Sequence, residues 1–315
     1  MTRSPRPMKP FVTGDDIRAA ARRIDGYVRR TPMLDLGSPL SSEYSLTLKL
    51  EHLQVTGSFK ARGAFSALTS IDVPDSGVVA ASGGNFGAAV AYAASRLGHR
   101  ATVFVPETSP TEKLDRIRTH GADVRVIPGY YDDAYEASQE FAEESGAYRL
   151  HAYDQHEVVS GQGTIALEIA EDTDPNVVLL AVGGGGLIAG IAACIRDNAG
   201  VIAVEPRQCS SFHAAVAAGK RVDVDVSGVA ASSLGARRVG EHAWAARHWI
   251  DGSVLVEDDA IVDSQRWLWS ESRLAVEPAA ATTIAALMTG AYRPEPGARV
   301  VAVLSGANLD PASLG

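Results

Sequence analysis

The chain has 315 residues, 46% of them hydrophobic and 21% charged, a composition that builds one large or two ordinary globular domains with a full core. A net charge of −9 excludes nucleic acid and an anionic membrane surface as the main partner. Two cysteines, Cys194 and Cys209, lack metal-ligand spacing, so they exclude a disulfide framework and point to a reducing, cytoplasmic setting.

In chain order, Met1 to Pro10 is basic and proline-rich without an apolar segment, so it is expected to be a loose arm and not a signal peptide. Helical spacing covers 13–30, with Ile17, Ala20, Ala21, Ile24 and Val28 on one face, and Thr31-Pro32 ends it. Residues 46–51 alternate as a strand. Thr56, Gly57 and Ser58 then supply turn and N-cap chemistry, which puts Lys60 in the first turn of a helix running to about Ile71. A cation at that position meets the positive end of the helix dipole, and its neutral form is favoured. A neutral amine attacks a carbonyl to form a Schiff base. The plain alternative is a surface lysine at a helix start.

From Val78 onward, short apolar runs alternate with amphipathic segments. Strands are expected at 78–82, 101–105, 123–127 and 148–151, with helices at 87–97, 111–120 and 132–145 between them. Such alternation implies an α/β unit with a parallel, helix-covered sheet. A second series follows, with strands at 177–182, 201–205, 253–256 and 299–304 and helices at 160–172, 187–197, 210–218, 258–274 and 278–289. The segment 220–252 has no clear pattern. Residues 177–195 are uncharged over a length that could span a membrane, but their four glycines favour a strand, a turn and a helix. No membrane partner is expected. The fold class is therefore α/β with two doubly wound parallel-sheet domains. Residues 1–76 and 152–315 would form the larger domain, with 77–151 inserted as a smaller one.

Gly183-Gly184-Gly185-Gly186 joins an apolar strand to a helix, where consecutive N–H groups form an anion cradle suited to phosphate. The same stretch permits another interpretation. Gly184-x-Gly186-x-x-Ala189, with Glu205 ending the next strand, matches a loose dinucleotide fingerprint and keeps a nicotinamide-dependent oxidoreductase open. Ser82-Gly83-Gly84-Asn85-Phe86-Gly87 is a second strand-end loop with exposed backbone donors for a carboxylate or phosphate, and Asn85 adds an amide. Ser305-Gly306-Ala307-Asn308 follows the last strand. Ligands gather at the carboxyl ends of parallel strands. Three such loops and an activated lysine suggest a phosphorylated carbonyl cofactor beside an anionic substrate. The eight histidines are scattered without metal-ligand spacing, and no metal is expected.

These motifs resemble the serine/threonine dehydratase and serine racemase family of fold type II pyridoxal-phosphate enzymes. The likeness runs from Thr31-Pro32 to Asn308. It is strongest over Lys49 to Ala64, Ser160-Gly161-Gln162-Gly163-Thr164-Ile165-Ala166-Leu167-Glu168, the tetraglycine, Glu277-Pro278 and Ser305-Gly306-Ala307-Asn308. It implies pyridoxal 5'-phosphate in the cleft between two domains, held by Lys60 as a Schiff base, with Phe59 near the ring. Asn85 would bond the ring hydroxyl, Gly183, Gly184, Gly185, Gly186 and Leu187 the phosphate, and Ser305 the pyridine nitrogen. Ser82, Gly83, Gly84, Asn85 and Phe86 would hold the substrate carboxylate. A hydroxyl at the pyridine nitrogen makes a weaker electron sink, which suits elimination.

The implied activity is β-elimination from a β-hydroxy amino acid such as L-threonine or L-serine, by a cytoplasmic homodimer. In the racemases a serine stands at the position of Gly83, opposite the lysine, so racemisation is the nearest alternative and Gly83 disfavours it. Phe86 and Ser232-Ser233 depart from the family pattern and leave the substrate open. An inert ligand-binding member of the fold is a further alternative. Relatives bind a divalent ion near the acid matching Glu205, but Ser211 stands where a second carboxylate would help.

Overall fold

The computed structural model describes residues 11–310, so the expected arm at Met1 to Pro10 lies outside the described residues. Ten strands form two sheets: β1 Met33–Asp35, β2 Ser45–Lys49, β3 Val78–Ala81, β4 Ala101–Pro106, β5 Asp123–Ile127, β6 Tyr148–Leu150, β7 Val177–Ala181, β8 Gly200–Pro206, β9 Gly252–Val256 and β10 Arg299–Val303. One sheet has six strands in the order β1-β2-β10-β7-β8-β9, and the other has four in the order β5-β4-β3-β6. All neighbours pair in parallel except β1, which runs antiparallel to β2 at the edge. That edge strand escapes sequence reading because three residues after a proline show no alternation.

Both sheets carry helices on their two faces, as the apolar strands require. Helices Gly14–Ile24, His156–Asp172 and Gly186–Ile195 pack over Val178, Leu180, Val201 and Val303 of the larger sheet. Pro278–Met288 and Asp258–Ser272 cover its opposite face, against Leu46, Leu48, Leu179 and Val204. Around the smaller sheet, Asn85–Leu97 lies on Val78 and Ala80, while Tyr131–Ser145 covers Val79 and Phe104. The uncharged stretch 177–195 is a buried strand, a glycine turn and a ten-residue helix. No helix among the described residues is long and apolar enough to cross a membrane.

Helix Lys60–Leu68 links the two layers. It packs against Asn85–Leu97 on one side and His156–Asp172 on the other. Close approach to the latter depends on glycine, because a Cβ at Gly161 would lie 2.6 Å from Ser66 Cβ and 2.8 Å from Gly63 Cα. The Gly-x-Gly run at 161–163 is thus a packing device.

Two local expectations change. The first helix ends at Ile24 and not near Arg30, because Gly26 turns the chain at φ +78°. Arg30 beyond it extends to pair with Glu171 and Asp172. The Lys60 helix ends at Leu68, and it is not capped by a Thr56, Gly57 or Ser58 side chain: the N-cap residue is Phe59, with no side-chain hydrogen bond. Thr56 and Gly57 occupy the left-handed region instead, at φ 65° and 74°, and Ser58 is extended so that it can bridge to Gly306. Tertiary pairing with the loop after β10 overrides the local capping preference there.

Candidate active site

Because β2, β10 and β7 are adjacent and parallel, the loops leaving their carboxyl ends share one edge of the larger sheet. These loops carry Ser58 to Lys60, Ser305 to Asn308, and the tetraglycine. Backbone bonds tie the first two together: Phe59 N donates to Ser305 O at 3.1 Å, and Ala307 N donates to Gly57 O at 2.9 Å. The loop after β3, residues 82–87, reaches the same place from the smaller sheet. Asn308 Nδ2 donates to Asn85 Oδ1 at 2.6 Å and to Thr56 O at 2.8 Å. The Asn85 amide in turn donates to both carboxylate oxygens of Glu277, at 3.1 and 2.8 Å.

Lys60 is the first residue of its helix, and its Nζ donates to the carbonyl of Ala152 at 2.8 Å. The aromatic rings of Phe59 and Phe86 lie 5.0 and 5.8 Å from that nitrogen. No carboxylate pairs with it among the described residues. Burial therefore pulls the amine down from its ordinary value to about 8. Lys60 stands at a helix start as expected, and its burial adds desolvation to the reasons for a neutral amine.

The tetraglycine begins helix Gly186–Ile195, with Gly185 at φ +89° as its N-cap. None of the four positions admits a Cβ without a clash. At Gly184 it would collide with the ring of Tyr153, at Gly186 it would lie 2.6 Å from Tyr153 O, and at Gly183 it would lie 2.8 Å from Leu234 Cα. Tyr153 follows Ala152, so the residue beside the lysine's carbonyl partner packs on the glycine cradle. Gly84 faces the carbonyl of Ser232, whose neighbour Ser233 sets its Oγ 3.5 Å from Glu277. Lys60, Asn85, Ser305 and the glycine run are thus linked through neighbouring loops. Leu187, expected beside the phosphate, is buried within the core under the glycine turn.

Two participants escaped sequence reasoning, and a third, Glu277, stood out there only as part of the Glu277-Pro278 motif without a role. Its carboxyl is buried, and burial raises it above the ordinary carboxylate range, against the opposing bond from Asn85. The Ala152 carbonyl has no side-chain signature at all. Tyr153 sits in an unpatterned turn, and burial pushes its phenol up to about 12.

Glu205, the acid a ribose would need, is not available for one. Its carboxylate accepts from Phe212 N at 2.9 Å and His213 N at 2.7 Å, closing the start of helix Ser211–Ala218. Burial raises it to about 8. Ser211 donates to Gly183 O at 3.1 Å. This removes the nicotinamide interpretation of the glycine run.

The family model described as "Pyridoxal-phosphate dependent enzyme" matches residues 24–306. The chain belongs to the pyridoxal-phosphate-dependent enzymes. It is 37% identical over 309 residues to the L-threonine ammonia-lyase of Geobacter sulfurreducens, covering 93% of this chain and 75% of that protein. It is 34% identical over 310 residues to the serine racemase of Arabidopsis thaliana, covering 95% and 93%. Among solved structures, maize serine racemase superposes with a TM-score of 0.91 at 30% identity, covering 96% of this chain and 95% of that one.

The residues present fit pyridoxal phosphate, this family's cofactor. A depressed amine suits its aldehyde, and a side-chain-free helix start suits its phosphate. Ser305 is buried, and its hydroxyl makes no hydrogen bond to another described residue.

Proposed function

We propose that the enzyme is a pyridoxal-phosphate-dependent ammonia-lyase that removes hydroxide and ammonia from a β-hydroxy amino acid such as L-threonine or L-serine. The observation that carries this reading is Lys60, an amine with one carbonyl partner, no carboxylate, and a value near 8. When bound, the cofactor withdraws electrons from the substrate's Cα. Lys60 anchors it and takes the proton from Cα, and Phe59 packs beside the ring. Asn85, Gly183, Gly184, Gly185, Gly186, Leu187 and Ser305 hold the remaining polar groups. Ser305, being neutral, would hold the ring nitrogen without fixing a charge there. Ser82, Gly83, Gly84, Asn85 and Phe86 form the loop that takes the substrate carboxylate, on the backbone N–H groups not already bonded at Ser82 and Gly84. With the α-proton on Lys60, the C–O bond at Cβ breaks and hydroxide leaves. The resulting enamine hydrolyses to a 2-oxo acid and ammonia, so the water lost first is regained.

The division into residues 1–76 with 152–315 and an inserted unit at 77–151 belongs to this proposal, supported by strands β3 to β6 forming a sheet of their own. So does a cytoplasmic homodimer, supported by the family likeness. Amino-acid racemisation is the second reading, favoured by the serine racemase relatives. Two assays test the proposal. The first is visible absorbance before and after borohydride, with Lys60→Ala as control. The second is 2-oxo acid release from L-threonine and L-serine, with chiral analysis of the remaining substrate. A cofactor band unaffected by Lys60→Ala overturns the anchor, and inverted substrate without 2-oxo acid favours the racemase.

A further inference from the structure

The loop at 82–87 has one position where a side chain from elsewhere takes the place of its own. A Cβ on Gly83 would collide with Ser109 Oγ and lie 3.1 Å from Ser109 Cβ. Ser109 comes from the turn after β4, whose backbone N–H donates to Pro106 O at 3.0 Å. The two strand-end loops are held side by side, since Ser82 N donates to Phe104 O at 3.0 Å and β3 pairs with β4 through Ala81 and Phe104.

Two serine hydroxyls therefore sit at this loop. Ser82 Oγ accepts from Gly84 N at 3.3 Å and is tied to its own loop by that bond. Ser109 is half-buried, and its hydroxyl forms no hydrogen bond with another described residue. A hydroxyl with both donor and acceptor unspent, set against Gly83 of a loop that carries backbone N–H groups, is an additional donor for an anion received there.

We propose that Ser109 is a substrate-binding residue: reaching across from the neighbouring loop, its hydroxyl fills the vacancy left by Gly83 and donates to the substrate's α-carboxylate. The identity of the substrate rests on the function proposed above, but the placement of the hydroxyl does not. Gly83 and Ser109 then form a reciprocal pair, in which a small residue at one position admits the hydroxyl of the other.

The test uses cofactor-loaded enzyme and two readouts, steady-state kinetics with L-threonine and calorimetric binding of glycine. Glycine carries the carboxylate but no β-leaving group, so its Kd reports carboxylate binding whatever reaction follows. Ser109→Ala is expected to raise both KM and the glycine Kd about tenfold, the size of one hydrogen bond to a charged group, with kcat within about twofold. The exchange Gly83→Ser with Ser109→Gly, which returns a hydroxyl to the same space from the other loop, is expected to restore both. Ser109→Thr, which keeps the hydroxyl, is expected to bind glycine as the unmodified enzyme does.

An unchanged glycine Kd in Ser109→Ala, with normal cofactor content and melting temperature, overturns the proposal. Should the exchanged pair fail to load cofactor, Ser109→Thr decides, and a glycine Kd matching Ser109→Ala counts against the hydroxyl. Failure of the unmodified enzyme to release a 2-oxo acid counts against the proposed reaction alone.

Discussion

Lys60 and Arg62 are cations two residues apart on one helix, yet they meet opposite surroundings. Arg62 is almost wholly buried and is surrounded by acids. Its guanidinium donates to Glu51 at 2.8 and 2.9 Å and to Glu168 at 2.6 and 2.9 Å. Lys49 adds a second cation to Glu168 at 2.6 Å, and Thr31 donates to Glu51 at 2.5 Å. Burial opposes the Arg62 charge, but the two carboxylates outweigh it and the guanidinium is held above its ordinary value. At Lys60 burial acts without that compensation, and the amine falls to about 8. Two positions on one helix thus separate a charge made permanent from a charge made labile. The proposed reaction uses the labile one, and the arrangement is possible because successive helical positions point in different directions.

Removing the labile charge should have the largest effect on activity. Lys60→Ala is expected to abolish the borohydride-sensitive absorbance and to lower 2-oxo acid release by about 10³-fold or more, the range of a lost acid–base group. Circular dichroism of the variant should match that of the parent, because Lys60 satisfies no structural carboxylate.

Removing the permanent charge should act on stability instead. Arg62→Met leaves Glu51 with uncompensated buried charge and Glu168 with Lys49 alone, and unfolding in urea should show a loss of about 3–5 kcal/mol. Combining it with Glu51→Gln should recover part of that loss, since the stranded charge then disappears while Glu168 keeps Lys49.

The comparison sharpens with pH in the cofactor-free protein. Lys60 has a folded value below its unfolded one, so the unfolded chain binds more protons between about pH 8 and 10.5. Its destabilising contribution is complete below pH 8 and fades as pH rises through that window. Lys60→Met should therefore stabilise the protein by about 3 kcal/mol at pH 7, with the advantage vanishing near pH 10.5. A thermal melt series over pH 7–10.5 measures it, and a constant advantage across the series would mean that packing and not charge sets the difference.

Glu277 should give the smallest effect. Its folded value is raised, so the folded state holds the proton more tightly, and this contribution to stability is lost as pH rises through the folded value. Glu277→Gln keeps a partner for Asn85 and should flatten that pH dependence. Melting temperatures at pH 5 and pH 8 suffice to see it.

Much of this was legible in the chain. The alternation from Val78 to Leu150 announced a parallel α/β unit, and its strands and helices fall within a few residues of their expected ends. The glycine runs after β3 and β7 announced backbone donors at strand ends. Regular elements are legible because periodicity is a local property of side-chain burial. The edge strand β1 and the segment 220–252 were not, since short irregular pieces take their shape from what they pack on.

Sequence by itself determined the α/β class, the lysine at a helix start, and loops able to hold an anion and a ring, since each depends on residues near one another in the chain. Only the tertiary structure decided that Lys60 is desolvated and finds Ala152 and no acid, that Asn85 rests on Glu277, and that Ser109 fills the space over Gly83. Those facts are set by groups far apart in sequence. The free energy of a charge or a hydroxyl depends on which dielectric and which partners the fold brings to it, and no local pattern records that.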